Sequence, residues 1–529
     1  MEIHGQNIVG FELFPPTANS FRAYDPREGK PVEPAFYEAG EAEVSRALDL
    51  AESAAVQLRG FSAEHTAEFL MAIREEINGL GDQLIARVSQ ESGLDPERLK
   101  GERDRTVNQL KLFADLAKEG SWVDARIDTA LPDRKPLARP DIRRMLQPIG
   151  PVAVFGASNF PLAFSVAGGD TASAFAARNP VIVKAHPAHP GTSELVASAI
   201  VRAAKAKAMP DGTFSMLHSV KPETSLALVR HPKTRAVAFT GSERAGRALF
   251  DAAAKRPDPI PVFAEMGSVN PVFVLPDALQ EKATSIAEGL YRSVTLGVGQ
   301  FCTCPGLVFG ISSGGFRQFV GRLTEMFEQA TPGTMLNPAI CKGYMEKFKA
   351  AAATSGVEAH ISSRSGDPQR TEGQPGLLAT DLKTWKNNRT LHEEIFGPAT
   401  VVVECASEAE LADAAKVLEG SLTATIHGTP EELGKQPKLI DQLSQKAGRL
   451  IFNGYPTGVE VGYAMHHGGP YPATTDEKFT SVGAAAIYRF ARPVCYQNFP
   501  EHLLPAELQN ANPRKIWRTV DGRLTRDPL

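Results

Sequence analysis

Three side chains in this 529-residue sequence stand at positions from which they could perform acyl-transfer chemistry. Cys302 ends the segment GQFC, at a predicted turn between a helix and a strand, where a thiolate could act as a nucleophile. Glu265 ends the apolar segment PVFAE and could serve as a general base. Asn159, in SNFP, could donate its amide to an oxyanion. Each position also has an ordinary interpretation: a buried cysteine, a solvated strand end and a helix cap.

Two further segments could bind a ligand. Gly241 and Ser242 lie in FTGS, where a predicted strand runs into the start of a helix, an arrangement that favours anion binding. The segment lacks the G-x-G-x-x-G pattern of many dinucleotide sites, so it is a weak signal by itself. Glu394 and Phe396 lie in EEIFGP, which could equally be an acidic helix start or a solvated loop.

The pattern of apolar residues predicts the elements that must hold these side chains. Residues 41 to 119 have helical spacing throughout. From residue 147, short apolar runs such as VAVF and VIVK alternate with helical segments, including one predicted over 162–177, which indicates a doubly wound parallel sheet. A second alternating series follows the proline-rich segment 257–261 and extends to about residue 452.

These patterns predict an α/β protein with two doubly wound α/β domains and a small β arm. We expect residues 1–121 and 147–261 to form a Rossmann-like cofactor domain and residues 262–460 to form a catalytic domain. Residues 122–146 read as a projecting hairpin, and residues 481–497 read as a strand. We expect the segments 122–146 and 484–500 to form an oligomerisation arm.

Composition narrows the function classes. A net charge of -4 indicates neither a nucleic-acid partner nor binding to an anionic membrane, so a small molecule is the expected partner. The five cysteines form neither a disulfide framework nor a metal-binding spacing, and we expect no metal. No apolar run approaches the length of a membrane span, and the N-terminus has no signal-peptide pattern. The expected location is the cytoplasm.

In order and spacing, these motifs resemble the aldehyde dehydrogenase superfamily over nearly the whole chain. The combination is SNFP, VIVKA, FTGS, EMGS, GQFC and EEIFGP. The segments EMGSVNPVF, YPTGVEV and HHGGPYPATT are most similar to the branch that contains 2-oxoglutarate semialdehyde (2,5-dioxovalerate) dehydrogenases and NADP-dependent fatty aldehyde dehydrogenases. The resemblance implies NAD(P)-dependent oxidation of an aldehyde to a carboxylate, in a homodimer or homotetramer.

The resemblance also implies catalytic roles. Cys302 would attack the aldehyde and later form a thioester, and the Asn159 amide with the Cys302 backbone N–H would hold the oxyanion. Glu265 would deprotonate the water that hydrolyses the thioester, for which we expect a carboxyl pKa raised toward neutrality.

For the cofactor, the resemblance places Lys184 on the adenosine ribose. It places Gly241 and Ser242 on the pyrophosphate, and Glu394 and Phe396 around the nicotinamide.

The cofactor preference is predicted from the neighbourhood of Lys184. NAD-preferring relatives usually carry an acidic residue three positions after this lysine, where Pro187 stands here. With no acid expected there to repel a 2'-phosphate, and with His186 and Lys221 to attract one, we expect NADP to be preferred over NAD.

The substrate stays open at this point. A semialdehyde with a distal carboxylate needs a cationic partner, for which Arg292 is a candidate, whereas a fatty aldehyde needs an apolar tunnel that Phe160 could line. Less favoured alternatives are a CoA-acylating dehydrogenase, a cysteine hydrolase that uses His466 or His467, and a non-catalytic structural protein.

Overall fold

The computed structural model describes residues 2 to 529, apart from the side chain of Pro368. Its α-helices are α1 (Glu41–Leu58), α2 (Ala63–Gly79), α3 (Gly81–Ser92), α4 (Pro96–Glu119), α5 (Gly169–Ala176), α6 (Pro190–Ala206), α7 (Pro222–Arg230), α8 (Glu243–Ala254), α9 (Pro276–Thr295), α10 (Gly314–Gln329), α11 (Pro338–Ala352), α12 (Leu382–Asn387), α13 (Glu408–Val417), α14 (Pro430–Gly434) and α15 (Pro437–Ser444). The four helices α1 to α4 confirm the helical pattern of residues 41–119.

The strands in chain order are β1 (Ile8–Val9), β2 (Glu12–Leu13), β3 (Ser20–Asp25), β4 (Lys30–Tyr37), β5 (Arg126–Asp128), β6 (Ile142–Pro148), β7 (Val152–Phe155), β8 (Val181–Lys184), β9 (Phe214–Leu217), β10 (Ala236–Thr240), β11 (Val262–Glu265), β12 (Val272–Val274), β13 (Leu307–Ile311), β14 (Gly333–Thr334), β15 (Glu358–Ile361), β16 (Glu372–Gly373), β17 (Gly376–Asp381), β18 (Ala399–Cys405), β19 (Ser421–His427), β20 (Ala447–Phe452), β21 (Ala491–Gln497), β22 (Arg518–Val520) and β23 (Arg523–Thr525).

The first sheet has the spatial order β11-β10-β7-β8-β9-β1-β2, and β7 to β11 are parallel. Alternate residues of its strands enter two cores on opposite faces: Val152 and Val154 pack in one, and Ala153 and Phe155 in the other. The chain order reverses at β7, whose neighbours are β8 and β10. In an open α/β sheet, a ligand binds in the crevice at such a reversal, beyond the carboxyl ends of the strands.

The second sheet has the spatial order β15-β17-β18-β13-β12-β19-β20, with helices over both faces. The predicted fold of two doubly wound α/β domains is therefore confirmed.

The predicted beginning of the second domain is wrong by one strand. The prediction assigns residues 262–265 to that domain, but β11 pairs in parallel with β10 and closes the edge of the first sheet. The proline-rich segment 257–261 is thus the connection from α8 to β11, and the chain passes to the second sheet only after Glu265. Prolines suit a helix-to-strand connection as well as a domain boundary, which is why their position misled the prediction.

A third sheet joins distant parts of the chain in the order β21-β6-β5-β22-β23, so the segments predicted to form the arm do lie together. The strand predicted over 481–497 is shorter than expected, because residues 484–490 form a 3-10 helix. Ile487 and Phe490 in that helix enter the main core, and Arg489 pairs with Asp170 at 2.8 Å. A half-exposed strand alternates buried and exposed side chains, whereas neighbouring residues in this segment are buried together, as a helical turn packed on the core allows.

The helix predicted over 162–177 also begins later, at Gly169. Residues 157 to 168 instead form turns that carry Asn159 to the site. In the described part of the chain, no helix is both long and apolar enough to span a lipid bilayer.

Candidate active site

A tight turn presents Cys302 between α9 and β13. Gly297, Val298 and Gly299 adopt successive left-handed conformations with φ of 56°, 57° and 67°, which is an unusual conformation for a β-branched valine. A side chain at position 299 would place its Cβ 2.1 Å from the carbonyl oxygen of Gly397. The turn is therefore pressed against the backbone of the EEIFGP segment, and only glycine fits at that contact.

Asn270 fixes the other side of this turn. Its amide nitrogen donates to the carbonyl oxygens of Cys302 at 2.8 Å and Cys304 at 3.0 Å. Its carbonyl oxygen accepts from the hydroxyls of Ser268 and Thr423, both at 3.0 Å. Because this buried amide is saturated with partners, the backbone on both sides of the thiol has a single position.

Cys302, Glu265 and His467 meet where the two sheets join. His467 Nε2 lies 3.1 Å from Glu265 Oε1 and 3.5 Å from Cys302 Sγ, and Ser481 donates its hydroxyl hydrogen to Glu265 Oε2. A carboxylate only accepts hydrogen bonds, so we assign the hydrogen of the ring to Nε2. Glu265 and His467 are almost fully buried.

The pKa of the Glu265 carboxyl is shifted in the direction opposite to the prediction. Burial by itself would raise the pKa of the carboxyl, but the charge of His467 and hydrogen bonds from His467, Ser481 and Cys302 together lower that pKa below its ordinary value. The expected rise toward neutrality is therefore wrong for this arrangement of side chains. The sequence pattern contained no sign of the groups that donate to Glu265, and these partners reverse the direction of the shift.

The Cys302 thiol has the opposite shift. Burial, followed by the negative charge of Glu265 and a hydrogen bond to it, raises the pKa of the thiol well above its ordinary value. Arg105 is a nearby positive group that lowers this pKa. At neutral pH the thiol is accordingly protonated, and reaction requires that a neighbouring base take its proton.

Asn159 lies beside the same turn. Its amide nitrogen donates to the carbonyl oxygen of Gln300 at 3.0 Å, while its backbone carbonyl accepts from Arg98 at 2.9 Å. The amide has a second hydrogen, so a donor remains for an oxygen bound next to Cys302.

The cofactor residues predicted from FTGS and VIVKA gather at the carboxyl edge of the first sheet. Lys184 ends β8, and Gly241 and Ser242 connect β10 to the N-terminus of α8, where the Ser242 hydroxyl caps the Ala245 N–H. A Cβ on Gly241 would lie 2.6 Å from the Phe239 ring, so the close turn needs glycine. The N–H groups of the first helical turn suit a pyrophosphate, and this edge therefore fits a dinucleotide.

The charges near Lys184 correct two expectations. Burial lowers the pKa of His186 well below its ordinary value, so its ring is neutral and lacks the charge assigned to it. An acidic residue is also present: Glu38, buried before α1, pairs with Lys221 at 2.7 Å and raises the pKa of Lys184, which burial lowers to about 8. The sequence pattern could not show this acid, because it comes from a distant segment.

Glu394 and Phe396 are half-buried beside the junction of the two sheets. A Cβ on Gly267 would lie 2.6 Å from Glu394 Oε2, so glycine after Met266 lets this carboxylate approach the backbone. Burial raises the pKa of Glu394 to about 7.

An aromatic cluster lies next to the thiol turn. The Phe160 ring centroid is 5.4 Å from that of Phe164 and 5.2 Å from that of Phe301, and Phe164 also meets the His467 ring at 6.5 Å. Phe160 thus lies in an apolar cluster near the thiol, and its contact with substrate stays a prediction. Arg292 is exposed on α9, and its positive charge lowers the pKa of Tyr455, which burial raises; its contact with a substrate carboxylate stays a prediction.

The main residues that sequence reasoning missed at this site are Asn270 and Arg98, together with the place of His467 in the chemistry. His467 was considered only as a partner for a hydrolase. Its signal was the pair of histidines ahead of GGP, since a histidine in an otherwise Gly- and Pro-rich return segment is available for polar contact. The oxygen, nitrogen and sulfur atoms of Glu265, His467 and Cys302 all lie within 4.8 Å of one another, so these three residues could also hold a metal ion, although we expected no metal site.

Comparison with known proteins gives consistent matches. The profile of the aldehyde dehydrogenase family matches residues 14–478. The chain is 47% identical over 526 residues to alpha-ketoglutaric semialdehyde dehydrogenase 2 of Azospirillum brasilense, covering 99% of this chain and 100% of that protein. It is 44% identical to alpha-ketoglutaric semialdehyde dehydrogenase of Acinetobacter baylyi, covering 99% and 98%.

Solved structures share the fold at low sequence identity. Lactaldehyde dehydrogenase from Escherichia coli superposes with a TM-score of 0.81 at 20% identity, covering 93% of this chain and 98% of that one. The 3,6-anhydro-L-galactose dehydrogenase, solved with NADP, gives a TM-score of 0.78 at 22% identity, covering 93% and 99%.

The charge of Glu265 can be tested through the thiol. In Glu265→Gln the closest negative charge is removed, so the pKa of Cys302 falls and more thiolate is present at neutral pH. We expect the rate of Cys302 alkylation by iodoacetamide at pH 7 to rise on the order of tenfold. Glu393→Gln, which removes an exposed carboxylate, is the control and should leave the rate unchanged. An unchanged or slower rate in Glu265→Gln would contradict the assigned electrostatics.

Proposed function

Because the chain belongs to the aldehyde dehydrogenase family, whose members oxidise aldehydes with NAD(P), we propose that it converts 2-oxoglutarate semialdehyde (2,5-dioxovalerate) to 2-oxoglutarate through a thioester on Cys302. One observation carries the mechanism: a half-buried thiol, a buried carboxylate and a buried imidazole lie together where the two sheets meet. The names of the two close relatives support the choice of substrate.

In the first step, Cys302 loses its proton as its sulfur attacks the aldehyde carbon. His467 Nε2–H faces both the sulfur and Glu265, so it can donate to whichever of them is anionic while the proton moves to the carboxylate. The new oxyanion accepts hydrogen bonds from the Asn159 amide and the Cys302 backbone N–H. A nicotinamide cofactor held by Lys184, Gly241 and Ser242 would supply the hydride acceptor for this adduct.

The second step hydrolyses the thioester. Once Glu265 has passed the first proton to solvent, it takes a proton from water, whose oxygen attacks the thioester carbon. The C–S bond then breaks, the acid leaves, and the proton held by Glu265 passes to the sulfur to restore the thiol. A base with a lowered pKa is weak, so Glu265 must be freed from His467 and Ser481 when it acts. We infer that it turns from these partners toward the water.

The geometry supports this function over the alternatives. A CoA-acylating enzyme transfers its thioester to a thiol and has no need of Glu265 beside the sulfur. A cysteine hydrolase accounts for His467 and Cys302 but leaves Lys184 and the α8 N-terminus without a role. The fatty aldehyde alternative predicts a purely apolar pocket, whereas the Arg98 guanidinium lies over the Phe160 and Phe301 rings at 5.3 and 4.9 Å.

We propose that the enzyme uses NAD or NADP, with NADP preferred. Lys184 and Lys221 outnumber Glu38 at the position where a 2'-phosphate would bind, and Pro187 adds no negative charge.

We further propose that the protein is a homo-oligomer of the cytoplasm, where a free nucleophilic thiol is kept reduced.

The activity is tested by following reduced nicotinamide with 2-oxoglutarate semialdehyde, pentanal and hexanal. We expect kcat/KM for the semialdehyde to exceed that for pentanal by at least about tenfold, because it carries a charge that can be recognised. Cys302→Ala should lose on the order of 1,000-fold in rate, and Glu265→Gln should release little product after the first turnover. Cys304→Ala is the control and should retain most activity. A preference for hexanal would favour the fatty aldehyde alternative.

The cofactor preference is tested by fluorescence titration with NADPH and NADH. Lys221→Met should weaken NADPH binding about tenfold and NADH binding less than about twofold, because only NADPH brings a 2'-phosphate. Glu38→Gln should tighten NADPH binding. Lys233→Met, which removes a lysine paired with Asp49 and Glu52 on the surface, is the control. Tighter NADH than NADPH binding in the wild type would refute the preference.

The oligomer is tested by light scattering. Leu131 and Leu137 are exposed hydrophobic residues between β5 and β6, with 42% and 73% of their surfaces accessible. Replacing both with lysine should dissociate the oligomer, because an interface core tolerates no unpaired charge. Val56→Lys, at an exposed position on α1, should leave the mass unchanged. A monomeric wild type would refute the proposal.

A further inference from the structure

Three side chains of α4 face the turns that carry Asn159 and Cys302. Arg98, Glu102 and Arg105 are spaced by four and three residues, so they lie on one face of the helix. Glu102 accepts from the backbone N–H groups of Leu162 and Ala163 at 2.8 and 3.0 Å, and Arg98 donates to the carbonyl oxygen of Asn159. Arg98 and Glu102 thus hold the backbone of residues 159–163 in place.

Arg105 has no such structural task. Its Nε and Nη2 atoms are buried and make no hydrogen bond to any residue between 2 and 529 whose side chain the structure describes. Its guanidinium lies over the Phe164 ring at 5.4 Å, and Phe164 contacts the His467 ring, which in turn contacts Cys302 Sγ at 3.5 Å. A planar cation with unused donors therefore lies two aromatic rings, those of Phe164 and His467, from the Cys302 sulfur along these contacts, and its charge lowers the pKa of the thiol.

We infer that Arg105 binds the distal carboxylate of the substrate and so determines the specificity of the enzyme for short, anionic aldehydes. A guanidinium presents parallel N–H groups that match the two oxygens of a carboxylate. Stacking on Phe164 restricts the orientation of the group before the substrate arrives, which reduces the entropy lost on binding. The inference rests on the proposed function, since it names the group that recognises the proposed substrate.

The surroundings of Arg105 are consistent with this role. Burial lowers the pKa of the Arg105 guanidinium. Four nearby acidic groups raise that pKa, in order of effect: the Cys302 thiol, Glu102, Glu265 and the exposed Glu460. None of the three carboxylates forms an ion pair with Arg105 within the described residues. Burial of a cation that lacks a paired anion costs free energy, and a bound carboxylate removes that cost. The span from the carboxylate carbon to the aldehyde carbon of the proposed substrate is only about 5 Å, so its anchor must lie close to the thiol.

The test uses the full-length Arg105→Met variant, whose side chain keeps a similar length without the charge. We expect KM for 2-oxoglutarate semialdehyde to rise roughly 10- to 100-fold with kcat changed less than about threefold, because the contact is made equally in the ground and transition states. Pentanal, which has the same number of carbons and no carboxylate, should be oxidised with kcat/KM within about threefold of the wild type. Arg105→Lys should recover part of the loss.

A binding measurement separates recognition from an effect on the thiol. In the wild type, 2-oxoglutarate should protect Cys302 from alkylation by iodoacetamide, and Arg105→Met should need roughly 10- to 100-fold more 2-oxoglutarate for the same protection. Lys111→Met, at an exposed position of the same helix, should behave as the wild type in both assays.

Three results would contradict either the role of Arg105 or the proposed substrate. Equal losses of kcat/KM for the semialdehyde and pentanal would overturn the inference, because Arg105 would then act on the thiol. Unchanged KM and unchanged protection would overturn it as well, because the carboxylate would bind elsewhere. A wild type that oxidises pentanal as well as the semialdehyde would instead refute the proposed substrate.

Discussion

One constraint organises this site: the half-buried Cys302 thiol lies against Glu265 and His467, which are almost fully buried. Two of these groups carry a negative charge during the proposed reaction, and a buried site cannot stabilise both without a donor between them. His467 Nε2 is that donor in the structure. The three residues come from the end of the first sheet, from a turn of the second domain and from the return segment after β20, so both sheets must be in register for the contact to exist.

Much of the fold followed from the sequence because it depends on local periodicity. Buried parallel strands such as β7 and β8 are short apolar runs bounded by turns, and the amphipathic spacing of α1 to α4 is unambiguous. The errors lie where tertiary contacts decide. Residues 484–490 are helical because Ile487 and Phe490 pack into the main core, and β11 belongs to the first sheet because its pairing partner is β10. The local pattern of apolar residues predicts neither the packing of residues 484–490 nor the pairing partner of β11.

The site divides in the same way. Cys302, Glu265 and Asn159 stand in short motifs whose order along the chain was sufficient to select them, and the structure brings their elements together. The direction of the pKa shift of Glu265, the acid beside Lys184 and the unpaired Arg105 were not predictable. The first two depend on side chains more than one hundred residues away in sequence, and the third depends on the absence of a partner for Arg105. Spacing and composition along the chain cannot predict either kind of contact.

The protonated state of the resting thiol also bears on how long the enzyme lasts. Peroxide attacks the thiolate, forming a sulfenic acid that can be oxidised irreversibly to sulfinic and sulfonic acids. Because burial and the charge of Glu265 hold Cys302 in the thiol form, the idle enzyme exposes little of the species that oxidants consume. The same electrostatics that require a base at the moment of reaction therefore give the protein chemical durability between turnovers.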